Sequence, residues 1–146
     1  IKAEPEKIEE LVGMWNKSWM LSRPYYEVEQ ALTQLREKYR LILISNTDCF
    51  SLPRALEKFK LAPYFEKIYL SFEQGLLKND PNFLHKVVEE LNLPKEECLV
   101  VGDSVESDMV AAQNSKISAV LVDRRDRREF TPKIRHLREL ERVIPQ

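Results

Sequence analysis

Cysteine is nearly absent from this sequence: Cys49 and Cys98 are the only two in 146 residues, and their spacing is not that of a metal site. Apolar runs are short, far below the roughly 20 residues that a membrane-spanning helix needs. Neither positive nor negative charge is in large excess, since the net charge is −1. Such a chain has no broad electrostatic attraction for nucleic acid or an anionic membrane. The first residues show no secretory signal pattern. Together these absences predict a cytoplasmic protein with no nucleic-acid or membrane partner.

The residues that are present favour a folded domain. Hydrophobic residues make up 43% of the sequence, which is typical of a globular chain and not of a disordered one. A chain of 146 residues is also long enough to bury a sizeable core. We therefore expect one compact domain.

Residues 98–108 carry the strongest local signal, a buried strand that ends in acidic residues. Cys-Leu-Val-Val at 98–101 is a continuous apolar run, which predicts a strand buried on both faces. The strand ends at Gly102, and Asp103 and Asp108 follow at the start of a helical pattern. Carboxylates at the carboxyl end of a parallel strand are suited to Mg²⁺. The alternative is purely structural: Asp103 turns the chain, and Ser104 or Asp108 caps the helix.

Strands and helices alternate along the chain. Four strands are predicted, at 41–45, 67–71, 98–102 and 118–122. With amphipathic helices between them, they predict an α/β fold, a doubly wound parallel sheet with helices on its faces. Two helices, 5–19 and 24–38, precede the first strand, so residues 1–38 are predicted as a separate cover and residues 39–146 as the α/β core. A final helix is predicted over 132–143.

The predicted sheet brings polar side chains to one edge, because right-handed crossovers align the carboxyl ends of parallel strands. Ser45 and Asn46 follow the first strand and offer hydroxyl and N–H donors. Lys78 follows the second strand and offers a cation, while Asp103 and Asp108 offer oxygen ligands. Phosphoryl transfer uses such donors, a cation and a metal-binding acid. Each residue alone has a plainer interpretation, as a strand cap or a solvated charge.

Three motifs, in order, resemble those of the haloacid dehalogenase-like (HAD) hydrolase superfamily. The family's second motif is a strand ending in Ser or Thr, matched by Leu-Ile-Ser-Asn-Thr at 43–47. Its third is a Lys before a Pro-Asp-Pro helix start, matched by Lys-Asn-Asp-Pro at 78–81. Its fourth is Gly-Asp-Ser-x-x-x-Asp, matched in full at 102–108. The resemblance covers about residues 5–125 and implies a Rossmann-like core, with residues 1–38 as the C-terminal part of a helical cap.

The resemblance implies a role for each matched residue. Ser45 would hydrogen-bond the phosphoryl group of the substrate, helped by the main-chain amide of Asn46. Lys78 would offset negative charge on the nucleophile and the phosphate. Asp103 would bind Mg²⁺, and Asp108 would support the metal's water shell or orient Lys78, so both acids are assigned to the metal site. The implied activity is a Mg²⁺-dependent phosphatase for a small phosphomonoester, since the dehalogenase branch needs no metal.

The family's first motif, Asp-x-Asp-x-Thr, does not occur in these 146 residues. In the family it ends the first strand and supplies the nucleophile, which forms an aspartyl-phosphate. That strand lies between the strands matched here by 41–45 and 98–102, so we expect a gap in the sheet with two unpaired edges. The nucleophile is expected upstream of Ile1 or on a second chain that completes the sheet.

Two other functions fit parts of the sequence. A catalytically silent HAD-like module that binds phosphate, metal or a partner protein would explain the absent nucleophile. It would not explain why Ser45, Lys78 and Asp103 occur together. A nucleic-acid contact at the arginine-rich stretch 124–128 is disfavoured, because interleaved acids cancel much of its field and a solvated loop explains it better.

Overall fold

The computed structural model describes residues 21–144, together with Glu4, Glu6, Lys7, Glu10 and Met14. Most of the predicted helix over 5–19 lies outside the described residues. No helix in the part of the chain that the structure describes is long and apolar enough to cross a membrane.

Helices and strands alternate in the predicted order. They are α1 (Val28–Arg36), β1 (Ile42–Ser45), α2 (Ser51–Lys58), β2 (Lys67–Leu70), α3 (Ser71–Gln74), α4 (Pro81–Glu90), β3 (Leu99–Gly102), α5 (Val110–Ser115), β4 (Ser118–Val122) and β5 (Lys133–Ile134). A π-helical turn, Val105–Met109, precedes α5, and short 3₁₀ helices occupy Ala62–Tyr64, Lys95–Glu97 and Leu137–Arg142. Each of the four predicted strands is present, with ends that agree to within one residue.

The predicted final helix over 132–143 is wrong in its first half, while a 3₁₀ helix at Leu137–Arg142 occupies the second half. Lys133 and Ile134 form β5, which pairs in parallel with the end of β4, and a 3₁₀ helix follows. Ile134 is 3% exposed. The burial of this side chain beside β4 therefore decides the local structure, which the densely charged local sequence could not indicate.

The strands form two parallel sheets instead of one. One sheet pairs β1 with β2, and the other has the order β3-β4-β5. No ladder joins β1 to β3 among the described residues, so the structure contains the gap expected between these two strands.

The prediction that residues 98–102 are buried on both faces is wrong, since Val101 is 37% exposed. A strand with no neighbour on one side lacks the side chains that would cover it there.

Two hydrophobic clusters lie on these sheets. One contains Leu35 of α1, Val120, Ile134 and Leu140, and the other contains Tyr69, Phe83 and Val87. Three of the inward positions of α1 are buried, as its helical spacing predicts: Ala31, Leu32 and Leu35.

Phe83 tests the second cluster. Its ring is 1% exposed on α4, so we expect Phe83→Ala in the natural full-length protein to lower the free energy of unfolding by about 3–5 kcal/mol. Urea denaturation measures this change. Phe72→Ala is the matched control, because Phe72 is 42% exposed and should cost below about 0.5 kcal/mol. Equal losses in the two variants would contradict the packing described for Phe83.

Candidate active site

The loop after β1 fixes the position of Lys78. The Asn46 side-chain carbonyl accepts the main-chain N–H of Lys78 at 2.8 Å. The next residue, Thr47, is tied to the start of α3, directly after β2, because its N–H donates to Ser71 Oγ at 3.0 Å and its carbonyl accepts from the same hydroxyl at 3.1 Å. The segments that follow β1 and β2 are therefore connected at the carboxyl ends of the strands. We call this edge, which carries Ser45, Asn46, Lys78, Asp103 and Asp108, the rim.

Local sequence also shapes the segment that carries Lys78. Gly75 ends α3 in the left-handed region, with φ of 64°. Asp80 begins α4 as its N-cap, accepting the N–H of Asn82 at 2.8 Å, and Pro81 takes the first helical position. Lys78 thus lies in a short turn that is fixed at both ends.

Lys78 and Asp108 form an ion pair, with Nζ 2.5 Å from Oδ1. The Asp108 side chain is 4% exposed and that of Lys78 is 21% exposed. The second carboxylate oxygen of Asp108 accepts the N–H of Ser104 at 3.0 Å. Both oxygens of Asp108 are therefore engaged by groups of the chain itself.

The turn after β3 is built around the Asp108 carboxylate. Gly102 is required here, because a Cβ at this position would overlap the carboxyl carbon of Asp108. Ser104 caps the π-helical turn, its Oγ accepting the N–H of Ser107 at 3.1 Å. The structural interpretation of Ser104 as a cap is therefore correct, and it coexists with the contact between Lys78 and Asp108.

Asp103 differs from Asp108 in being exposed. Its carboxylate has no hydrogen bond with the described residues, and those residues contain no cluster of three His, Cys, Asp or Glu side chains that could hold a metal. Mg²⁺ commonly takes one or two carboxylates and keeps water or phosphate oxygens as its other ligands. The donor set therefore fits Mg²⁺ bound through Asp103, and it does not fit a cage made by the protein alone.

The structure brings some of the predicted site residues into direct contact and leaves others without a side-chain contact to the rest. Asn46, Lys78 and Asp108 contact one another in series, and Asp103 adjoins them through the turn after β3. Ser45 is the last residue of β1 and lies on the same rim, half-buried. Its hydroxyl has no hydrogen-bond partner in the part of the chain that the structure describes.

Sequence reasoning missed two residues beside this rim. The Arg128 guanidinium donates a hydrogen bond to the main-chain carbonyl of Asp103. Asp123, which follows β4 and is 4% exposed, accepts the N–H of Arg128 at 2.7 Å. Hydrogen bonds from Arg128 and other main-chain amides of the loop hold the pKa of the Asp123 carboxyl below its usual range, although burial opposes this. The one available signal was the position of Asp123 at the carboxyl end of a predicted strand.

Comparison with known proteins assigns the chain to a family. The sequence profile of the haloacid dehalogenase-like hydrolases matches residues 1–122. The chain belongs to this family. The motif-based resemblance and the α/β fold class are both confirmed.

Named relatives of the chain include two phosphatases. The N-acylneuraminate-9-phosphatase of Mus musculus is 28% identical over 95 residues, which cover 65% of this chain and 38% of that protein. The glyceraldehyde 3-phosphate phosphatase of Methanothermobacter thermautotrophicus is 27% identical over 114 residues, or 77% and 50% of the two chains. A HAD-superfamily hydrolase of Geobacter sulfurreducens has a similar fold, with a TM-score of 0.78 and 24% identity over 97% of this chain and 68% of its own. The chain spans half or less of these two curated relatives.

Gly102→Ala tests the close approach of Asp108 to β3. We expect the variant to lose about 1–3 kcal/mol of unfolding free energy in the natural full-length protein, because the new methyl group displaces the Asp108 side chain. A double-mutant cycle with Asp108→Gly, followed by urea denaturation, isolates the collision. The cost of Gly102→Ala should nearly vanish in the Asp108→Gly background. An equal cost in both backgrounds would show that the collision is not with Asp108.

Asp123→Asn tests the loop after β4 through pH. The native carboxyl has a pKa below its ordinary value of 3.8, so its ionised form stabilises the fold above that value, and the stabilisation is lost as pH falls through the lower native pKa. Asp123→Asn should therefore lower Tm near neutral pH, and the Tm difference from the unmodified protein should shrink in acid. Glu129→Gln, at a nearby exposed acid, is the control. A Tm difference that is the same in acid as at neutral pH would contradict the hydrogen bonding of Asp123.

Proposed function

We propose that this chain is part of a Mg²⁺-dependent phosphatase that cleaves a small phosphomonoester. The observation that carries the proposal is the partly buried contact of Lys78 with Asp108, one turn away from the exposed carboxylate of Asp103. A fixed cation beside a free carboxylate can bind a phosphoryl group and a divalent metal together. Two curated relatives of the chain are named as phosphatases, which supports the same reaction class.

Each rim residue has a role in this proposal. Lys78, held in place by Asp108, neutralises charge on the phosphoryl group. Asp103 would hold the metal, and Asp108, besides orienting Lys78, would support the metal's water shell. Mg²⁺, when bound, supplies further positive charge to the phosphoryl oxygens. The Asn46 side chain is engaged with Lys78, so its main-chain amide and the Ser45 hydroxyl are the donors assigned to the phosphoryl group.

The nucleophile is proposed to come from a strand that fills the gap between β1 and β3. No Asp-x-Asp sequence occurs in the 146 residues, while the family's chemistry uses one. A strand in the gap would pair with both open edges and bring its carboxyl end to the rim that carries Lys78 and Asp103. Such a strand could belong to the same chain or to another one.

Domain division and location are also proposals. Residues 1–38 are assigned to a helical cap and residues 39–146 to the core, and the protein is placed in the cytoplasm. In the described part of the first segment, α1 packs Leu35 against Val120 and Ile134, so this end of the cap is anchored on the core.

Asp103→Asn tests the metal assignment in the natural full-length protein. Because the substitution removes the charge that would hold Mg²⁺, we expect turnover of p-nitrophenyl phosphate to fall on the order of 100-fold or more, with an unchanged far-ultraviolet spectrum. Mn²⁺ binding, followed by electron paramagnetic resonance, should weaken in parallel. Glu106→Gln, at an exposed acid of the same turn, is the matched control and should keep both properties.

The results separate the alternatives. Normal turnover and Mn²⁺ binding in Asp103→Asn would remove Asp103 from the metal site. A protein that binds inorganic phosphate and Mn²⁺ but shows no turnover would instead be the silent binding module, the second candidate function, which the absence of Asp-x-Asp from these residues favours.

A further inference from the structure

The loop after β4 is fixed by a buried carboxylate and a lysine. Asp123 accepts the main-chain N–H of Arg128 at 2.7 Å, as described above. Lys133 donates to the carbonyl of Arg128 at 2.8 Å and forms an ion pair with Asp126 at 2.6 Å. Both main-chain polar groups of Arg128 are therefore bonded within the protein, and its side chain leaves the loop from a fixed point.

Arg128 differs from its neighbours in what its side chain meets. Arg124, in the same loop, forms an ion pair with the buried Glu27 at 2.6 Å. The exposed Arg128 side chain contacts the main-chain carbonyl of Asp103 instead, and no carboxylate among the described residues pairs with it. A guanidinium has several N–H donors in a planar fork, so one neutral carbonyl leaves its charge and most of its donors available.

We propose that Arg128 is a specificity residue that binds a carboxylate of the substrate. The inference rests on the proposed phosphatase function and names its substrate class, small phosphomonoesters that also carry a carboxylate. The guanidinium touches the main chain of Asp103, the proposed metal-binding residue, so it lies within the length of a small metabolite from the phosphoryl site. Its remaining donors match the planar geometry of a carboxylate, which an arginine binds with two parallel hydrogen bonds.

A matched pair of substrates tests this role in the natural full-length protein. 3-Phosphoglycerate and glycerol 3-phosphate share a three-carbon skeleton and a phosphate, and the first has a carboxylate where the second has a hydroxymethyl group. The unmodified protein should have the higher kcat/KM for 3-phosphoglycerate. Arg128→Gln should raise KM for this substrate about 10- to 100-fold with little change in kcat, and should leave glycerol 3-phosphate nearly unaffected.

Two further variants separate specificity from a structural role. Arg128→Lys keeps the charge and should recover part of the lost affinity for 3-phosphoglycerate. Arg125→Gln changes an exposed arginine of the same loop and should alter neither substrate. Equal losses for both substrates in Arg128→Gln would show that Arg128 only supports the turn at Asp103. That result, or equal kcat/KM values for the two substrates in an unmodified protein that turns over both, would overturn the proposal.

A binding measurement keeps the test independent of turnover. Calorimetric titration should show tighter binding of phosphonoacetate than of methylphosphonate, and Arg128→Gln should remove the difference. If the unmodified protein turns over neither of these substrates nor p-nitrophenyl phosphate but shows this binding difference, the phosphatase proposal fails while the binding of a carboxylate by Arg128 stands. A difference that persists in Arg128→Gln would overturn the role of Arg128, whatever the activity.

Discussion

The ion pair between Lys78 and Asp108 is the contact on which the site depends. Lys78 follows β2 in one sheet and Asp108 follows β3 in the other. Because no ladder joins β1 to β3 in the described residues, the halves of the core are connected by side-chain contacts such as this pair and by the packing of α4 against α5. The Asp108 carboxylate is nearly inaccessible to water, so an unpaired charge there would be costly and the lysine is held in place.

The ion pair restricts which residues can surround it, because the Asp108 side chain needs space and its carboxylate needs hydrogen-bond donors. Only glycine fits at position 102, because the Asp108 side chain occupies the volume where a Cβ would lie. The N–H of Ser104 satisfies the second carboxylate oxygen, and Asn46 holds the main chain of Lys78 from the other sheet. With Asp108 engaged in this way, Asp103 is the acid of the motif that remains open to a ligand.

Periodicity and motif order predicted much of this arrangement. The alternating apolar runs located the four longer strands, and the three motifs located Ser45, Lys78 and the acids on one rim, because these signals are local in sequence. Other features depend on distant residues. The short strand β5 pairs with β4 where Ile134 is buried, and Val101 is exposed on β3, which has no neighbouring strand on one side among the described residues. The residues next to Ile134 and Val101 in the sequence indicate neither the burial of Ile134 nor the exposure of Val101.

Arg128 illustrates the difference between features that local sequence patterns predict and features that depend on distant residues. The sequence by itself determined the fold class, the family and the chemical groups at the ends of the strands. Each of these depends on short, local patterns of apolar residues, turn residues and acids. Only the tertiary structure decided which charges meet. It paired Lys78 with Asp108, left Asp103 open, and brought Arg128 to the main chain of Asp103. A charged side chain shows its sign in the sequence, but its partner is set by the packing of elements far apart in the chain.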